Sequence, residues 1–583
     1  MTNFYHKDMA KTEATVEELV SMIERGRLRL PEMQRRYVWR STRVRDLMDS
    51  LYRGYPSGAI LVWETDEAVP LQEMAVKQEG GHGGSSQLLL DGQQRLTSLS
   101  AVIGGELVEV RGRRRPIELL FNLEHPEKLP FVTEVDEDGG EDDDEDEEAG
   151  DDLLSEDEAD SSGDELQRRF EKMTFVVSTR KLEQHPHWVK VTEVFKSDSD
   201  KPFLRRAGIN DFDDPRYEKY SQRLAKLRAI RKYSYRIDVL ERTLDYDEVT
   251  EIFVRVNSLG AKLRSSDLAL AQITAKWKNS LAIFQGFQAQ CRKDGFDLEL
   301  GIHLKNLIAF ATGQSRFLTV GNLSAEKLQT SWAEACRGME FAINFLKSNA
   351  GVDSPALLSS PFMMVTLAIF GHRRDYHLDP REAERLKFWT LLANAKGRYS
   401  RGSSETILDQ DLAILREGGA EELIDRLRQQ VGRLDIAPAE LEGRNQRSAL
   451  FKTMFLAFRA AGAKDWKSQL AIALSHAGAQ HRLQFHHIFP KAVLKGSYTQ
   501  READDIANLA FIGGNTNRAI SDKPPLHYFP GIREKSGDAA FDLQGIPSDP
   551  SLLSVSDYKR FLEERRRRIA ARINEFLGCT TSA

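Results

Sequence analysis

Cysteine is scarce in this chain. Three occur in 583 residues, Cys291, Cys336 and Cys579, scattered and odd in number, which excludes both a disulfide framework and a cysteine zinc cluster. Any bound metal must then be held by His, Asn, Asp or Glu. Long apolar runs are missing too, since no segment approaches the roughly 18 to 20 apolar residues that span a bilayer. The N-terminus shows no cationic stretch leading into an apolar run, so the expected place is the cytoplasm and no membrane partner is expected. No internal repeat is present. What remains is the composition of a soluble globular protein, too long for one ordinary core and so expected to hold two or three domains.

The net charge of −7 hides a segregation of charge. Residues 134–165 hold twenty Asp and Glu and no Lys or Arg, so the rest of the chain is net positive by thirteen once those twenty are set aside from −7. An acidic run with Gly and Ser cannot bury enough apolar surface to fold, and it reads as a disordered insertion, a solvated spacer or a mimic of DNA phosphates. From about 216 to 440 the apolar residues recur at helical spacing, as in Val249, Ile252, Phe253 and Val256, or Leu268, Ala271 and Ile273, which predicts a mainly helical region. Helical spacing continues to about 475, and Leu483 to Ile488 then reads as a strand. Tyr558 to Leu577 reads as a basic amphipathic helix. Its Arg565 to Arg568 cluster suits either a phosphate backbone or a solvated face beside Glu563 and Glu564.

Two segments carry chemistry. The first is His486-His487-Ile488-Phe489-Pro490, followed by Asn508 and, nine residues later, Asn517-Arg518. Phosphodiester hydrolysis calls for a divalent cation at the scissile phosphate and a neutral imidazole to take a proton from water. Neighbouring strand residues point to opposite faces, so the two histidines divide the labour. His487 is expected to be the general base and His486 a metal ligand. The plainer alternative is two ordinary polar residues at a strand edge. His476, His481 and His527 lack the flanking pattern and read as structural or surface residues.

The segment resembles HNH (ββα-metal) nucleases, in which Asp-His-Ile-x-Pro precedes a loop Asn and then a ligating Asn before an Arg. The resemblance implies that Asn508 braces the loop holding the base, that Asn517 ligates the metal with Asn515 as rival, and that Arg518 or Lys523 meets phosphate. His486 replaces the commoner Asp, which leaves the metal open between Mg2+, Mn2+ and another transition metal.

The second segment is Leu88-Leu89-Leu90-Asp91-Gly92-Gln93-Gln94-Arg95-Leu96-Thr97. It reads as a buried strand, a tight turn and a helix start, where glycine allows positive φ, the helix N-terminus can receive an anion and Arg95 can add a phosphate contact. Asp-Gly-Gln-Gln-Arg-Leu-Thr resembles the N-terminal domain of GmrSD-type restriction enzymes, whose fold is similar to that of ParB and sulfiredoxin. Further likenesses are Pro31 to Trp39, Asp46 to Ser50, Gly54 to Gly58, Ile252 to Gly260 and Arg398-Tyr399-Ser400.

That resemblance, shared with effectors of the SspE and BrxU type, implies a nucleotide site made of Gln34, Arg35, Asp91, Gly92, Gln93, Gln94 and Arg95, binding and hydrolysing GTP or ATP, with Asp91 and Arg95 acting in the hydrolysis. The competing reading is that Gln34, Arg35, Arg255 and Asn257 only satisfy buried backbone groups. Trp39, Trp63 and Tyr37 are expected in the core. The implied architecture is an α+β multidomain chain. It comprises a ParB/sulfiredoxin-like α/β sensor over 1–240 containing the acidic insertion, a helical bridge over 241–440, and an HNH nuclease over 441–583. The implied function is an NTP-regulated, modification-dependent DNA endonuclease in anti-phage defence, possible as a homodimer. Two rivals stand beside it: a ParB-like nucleotide switch with an inactive HNH region, and an RNA-directed abortive-infection nuclease.

Overall fold

The leucine run Leu88 to Leu90 forms the middle of a strand, β5 (Ser86–Asp91), and is buried on both faces, as expected for a central strand flanked by helices. Leu89 packs with Ile60 and Val62 on one side, whereas Leu88 and Leu90 pack with Leu61, Trp63 and Val249 on the other. In this computed structural model the described residues are 10–579, apart from 35–36, 38, 40, 68, 73, 77, 79–85, 106–117, 127–171, 260–263, 477 and 479. Arg35 and the acidic run 134–165 lie outside the described residues. The architecture is α+β, and the chain divides into two compact units, with Ile283 in the first and Phe284 in the second.

The first unit is built on a six-stranded mixed sheet in the order β1, β9, β3, β5, β2, β4. Its strands are β1 (Ala10–Thr15), β2 (Leu28–Pro31), β3 (Ile60–Thr65), β4 (Leu71–Gln72), β5 and β9 (Ser234–Leu240). β2 runs parallel to β5, with Leu28 opposite Gln87 and Arg29 opposite Leu88, so the ends of both strands reach the turn at Gly92 together. Helices α1 (Val16–Glu24), α2 (Ser41–Arg53) and α3 (Gln93–Gly104) cover one face. The helix Tyr246–Leu259, carrying Tyr246, Val249 and Phe253, covers the other. A smaller antiparallel sheet has the order β7 (Phe175–Val177), β6 (Leu119–Asn122), β8 (Trp188–Lys190).

Among the described residues of the second unit, helices dominate and the named strands form one antiparallel pair, β10 (Leu483–His487) and β11 (Leu509–Gly513), in which His486 faces Ala510 and His487 faces Leu509. Two strands alone are marginal in water. Here Phe451 of the helix Ala449–Ala460 packs edge-on against Phe485 and, at 5.1 Å between centroids, against Phe511. Gln544 seals the outer edge of β11, accepting from Phe511 N at 2.8 Å and donating to Phe511 O at 2.9 Å. One continuous hydrophobic cluster runs from Cys291 to Leu577. The Arg398-Tyr399 pair is part of that interior: Arg398 donates to Asp411 at 2.7 Å through Nε and Tyr399 donates to the same carboxylate at 2.8 Å.

The C-terminal helix Tyr558–Leu577 forms where the sequence predicts it, but its arginine cluster is not an open basic face. Arg565 follows Phe561 and Leu562 at helical spacing and so falls on the buried stripe. Its guanidinium donates to Ala507 O at 2.7 Å and Leu509 O at 2.6 Å, and burial pulls its pKa down to about 9. Arg566 pairs with Asp505 at 2.5 Å, while Arg567 and Arg568 pair with Glu564. Arg565→Leu leaves two buried carbonyls without donors and is expected to cost about 2–5 kcal/mol in thermal unfolding of the full chain. Arg567→Leu, at a side chain 66 % exposed, is expected to leave the transition in place.

Candidate functional site

The loop between β10 and β11 is held before any reacting group is considered. Asn508 is fully buried; its Oδ1 accepts from Phe489 N at 2.9 Å, and its Nδ2 donates to Phe489 O at 3.0 Å and Ala503 O at 2.9 Å. Ile488 N donates to Asn508 O at 2.8 Å. The turn after the two histidines therefore cannot shift independently of Asn508. Asp465 fixes the other end, where β11 passes into the short helix Gly514–Ile520. It accepts from Gly513 N at 2.7 Å and Thr516 Oγ1 at 2.8 Å. Burial alone would raise the Asp465 carboxyl, but these donors outweigh it and hold its pKa low.

The two histidines face different partners, as strand alternation requires. His486 is buried, with Nδ1 2.8 Å from Asn517 Oδ1 and Nε2 3.2 Å from the Tyr528 hydroxyl. His487 is partly open and places Nε2 3.1 Å from Asp504 Oδ1, which also meets Lys491 Nζ at 2.7 Å. Burial would raise the Asp504 carboxyl; His487 and Lys491 together bring its pKa below the usual value. Asn515 and Arg518 are exposed on the helix and Lys523 is exposed beyond its end, and it is Asn517 that meets His486. Of the other histidines, His481 and His527 are exposed and His476 is partly so.

Proton counting at His486 tests whether a cation fits. Tyr528 has one hydroxyl proton and two acceptors in reach, Ile488 O at 3.0 Å and His486 Nε2 at 3.2 Å; when the proton goes to Ile488 O, the oxygen is left to accept from His486 Nε2–H. A neutral ring then has a bare Nδ1, which faces a carbonyl oxygen of Asn517 whose Nδ2 lies toward Gln484 Oε1 at 3.5 Å. Two lone pairs 2.8 Å apart need a proton or a cation between them. The proton is disfavoured, because burial drives the ring's pKa down to about 4. The separation is close to the roughly 3 Å expected between adjacent octahedral ligands with bonds of about 2.0–2.1 Å. His486 and Asn517 therefore fit a divalent metal. Among the described residues no group of three His, Cys, Asp or Glu side chains could hold one, so this donor pair contains no carboxylate.

The N-terminal turn is equally defined. Gly92 has φ +96°, and a Cβ there would lie 2.3 Å from Ile60 Cδ1. It begins α3 with no side-chain cap, leaving that end of the helix to its backbone amides. Gln34 Nε2 donates to Leu89 O at 2.6 Å, Trp39 N donates to Gln94 Oε1 at 3.3 Å, and the Tyr37 hydroxyl lies 2.8 Å from Ser98 Oγ. Residues 34–39 and the turn are thus brought together. Gln93 is buried, whereas Asp91 is 43 % exposed and pairs with Arg95 at 3.1 Å. The Arg95 guanidinium is turned inward, donating to the Ser57 carbonyl and to Ala59 O at 2.8 Å across the face of Gly58. Tyr37 and Trp63 lie in the core. Arg255 is exposed and pairs with Glu251, and the Asn257 side chain lies outside the described residues.

Residues 16–274 match the GmrSD restriction endonuclease N-terminal domain. The match supports a restriction-type nuclease of the defence class with DNA as its partner. Over 545 residues the chain is 22 % identical to an uncharacterised protein of Methanocaldococcus jannaschii, covering 88 % of this chain and 85 % of that one. Among the described residues, no helix is long and apolar enough to cross a membrane.

Three side chains absent from the sequence motifs shape the second-unit site, Asp465, Asp504 and Tyr528, and one inside the Pro31 to Trp39 segment of the first unit, Glu32, is given no role by the likeness there. Only Asp504 carried a local signal, standing four residues before Asn508. Glu32 is 3 % exposed just beyond β2; its Oε1 accepts from Asn279 N at 2.9 Å, and burial pushes its pKa up to about 7. A carboxyl raised on folding stabilises the fold while protonated, and that contribution is lost as pH rises from the unfolded value toward 7. Glu32→Gln keeps the acceptor and removes the charge. Its unfolding free energy, read from chemical denaturation, is expected to exceed that of wild type by a margin that grows between about pH 5 and pH 8, reaching at most about 3 kcal/mol.

Proposed function

We propose that this chain is a metal-dependent endonuclease of the HNH kind that cleaves DNA in anti-phage defence, regulated by a nucleotide and by the modification state of the DNA. The observation that carries the nuclease part is the convergence of His486 Nδ1 and Asn517 Oδ1 next to a partly open His487 on the same strand. His486 and Asn517 would hold Mg2+, Mn2+ or another transition metal, which when bound supplies positive charge to the scissile phosphate. His487 takes a proton from the water whose oxygen bonds to phosphorus as the bond to the leaving sugar oxygen breaks. Asn508 keeps the turn after His487 at fixed distance from β11. One such centre cuts one strand, so a double-strand break requires two sequential nicks or a homodimer.

The nucleotide part is supported by the uncapped start of α3 at Gly92, where backbone amides can meet a phosphate of GTP or ATP. Arg95 does not fit that role as placed, because its donors are directed to backbone carbonyls and Asp91. Its place in the proposal is to hold the Ser57 to Ala59 loop beside the turn. Asp91, Gln94 and Gly92 border the turn, and Gln34 fixes the neighbouring strand end. No described residue selects among base or backbone modifications.

Two neutral donors at the cation suit imidazole-preferring transition metals better than Mg2+. Wild type is expected to nick supercoiled plasmid faster with Mn2+ than with Mg2+, His487→Ala to abolish nicking, and His486→Asp to shift the preference toward Mg2+ by tenfold or more, or about 1.4 kcal/mol. Running the assay with GTP and ATP, on modified and unmodified DNA, tests the regulation. Cleavage of matched RNA but not DNA, or none with any metal, overturns the DNA nuclease reading.

A further inference from the structure

His487 ends β10 with one carboxylate at its ring, Asp504, and that carboxylate belongs to no motif of the chain. Asp504 Oδ1 accepts from two cationic or polar donors, Lys491 Nζ at 2.7 Å and His487 Nε2 at 3.1 Å. An ionised carboxylate has no proton to give, so the contact to His487 exists only when Nε2 carries the imidazole proton. Nδ1 is then the bare nitrogen.

Asp504 is also one of the more firmly placed side chains of the rim. Its neighbour Asp505 is buried and accepts from Ala507 N at 2.8 Å, Gly443 N at 2.9 Å and Arg566 at 2.5 Å. On the other side the Ala503 carbonyl is held by Asn508 and the Glu502 carbonyl by the Tyr558 hydroxyl at 2.7 Å. The backbone on both flanks of Asp504 is therefore anchored to buried groups, while its side chain stays 30 % exposed and reaches His487.

We propose that Asp504 is the positioning residue of this nuclease: it holds His487 in the Nε2–H tautomer, aims Nδ1 at the attacking water and stabilises the imidazolium that forms there. The inference rests on the nuclease reading. In the step it serves, water oxygen bonds to phosphorus, the O–H electron pair stays with that oxygen, and the proton passes to His487 Nδ1. The phosphorus bond to the leaving sugar oxygen breaks, and Asp504 remains an unprotonated acceptor throughout. Lys491 keeps the carboxylate charged and turned toward the ring.

Two measurements on the full chain test this. In Mn2+-dependent plasmid nicking, Asp504→Ala and Asp504→Asn are expected to lower kcat by about 10- to 100-fold with KM unchanged, and Asp504→Glu to recover part of the loss. In 15N-histidine NMR, the His487 signal, assigned by its absence from His487→Ala, is expected to report the Nε2–H tautomer in wild type and a tautomer mixture in Asp504→Ala. Unchanged kcat in both Asp504→Ala and Asp504→Asn, or an unchanged tautomer in Asp504→Ala, overturns the proposal. If wild type shows no nicking dependent on His487, the nuclease reading fails and the catalytic role of Asp504 falls with it, whereas the tautomer result shows separately whether the lock exists.

Discussion

One buried guanidinium organises the part of this chain that carries the two adjacent histidines. Arg565 sits in the interior and satisfies Ala507 O and Leu509 O, the carbonyls on either side of Asn508. Desolvating a cation is costly, and among the described residues no carboxylate hydrogen-bonds the guanidinium, Asp505 acting on it only at longer range; two good carbonyl acceptors and the packing of its stem offset the cost. In return, the segment leading into β11 cannot move. Asn508 spans from that fixed segment to Phe489, Ile488 bonds back to it, and the strand carrying both histidines inherits its position. Asp465 does the same for the helix carrying Asn517. The two histidines and Asn517 are thus set on backbone whose polar atoms are already paired, the condition for a site precise to a fraction of an ångström.

Within that frame, strand alternation separates two imidazoles that are adjacent in sequence. His486 points into the interior, where burial favours its neutral form and the Tyr528 hydroxyl meets its Nε2. His487 points to the rim, beside Asp504. The His486 ring presents Nδ1 to an amide oxygen, whereas the His487 ring presents Nε2 to a carboxylate. Two side chains of the same residue type therefore differ only in surroundings. Desolvation favours the neutral form of His486.

The N-terminal unit shows how a conserved-looking string can be occupied by structure. Gly92 is required by its positive φ and by Ile60, with no ligand needed to explain it. Gln34 and Arg95 cap backbone carbonyls, the plainer of the two readings of such residues. What is left to bind an anion is the uncapped helix start, a backbone feature that residue identity alone does not reveal.

The sequence by itself determined the element types, because apolar periodicity is local: the leucine strand with its glycine turn, the helical middle and the strand of two histidines are all short-range patterns. It also placed the likeness to a restriction-enzyme N-terminal domain, since that string is contiguous. Tertiary structure alone decided which side chains meet. Asp504 lies 17 residues from His487, Tyr528 42 residues from His486, and Arg565 58 residues from Ala507. The arginine cluster of the last helix read as a basic face, yet its first member is buried and the others are paired. A charged residue on an apolar stripe is not distinguished from a solvated one by spacing, because what decides it is whether a distant loop brings carbonyls to meet it.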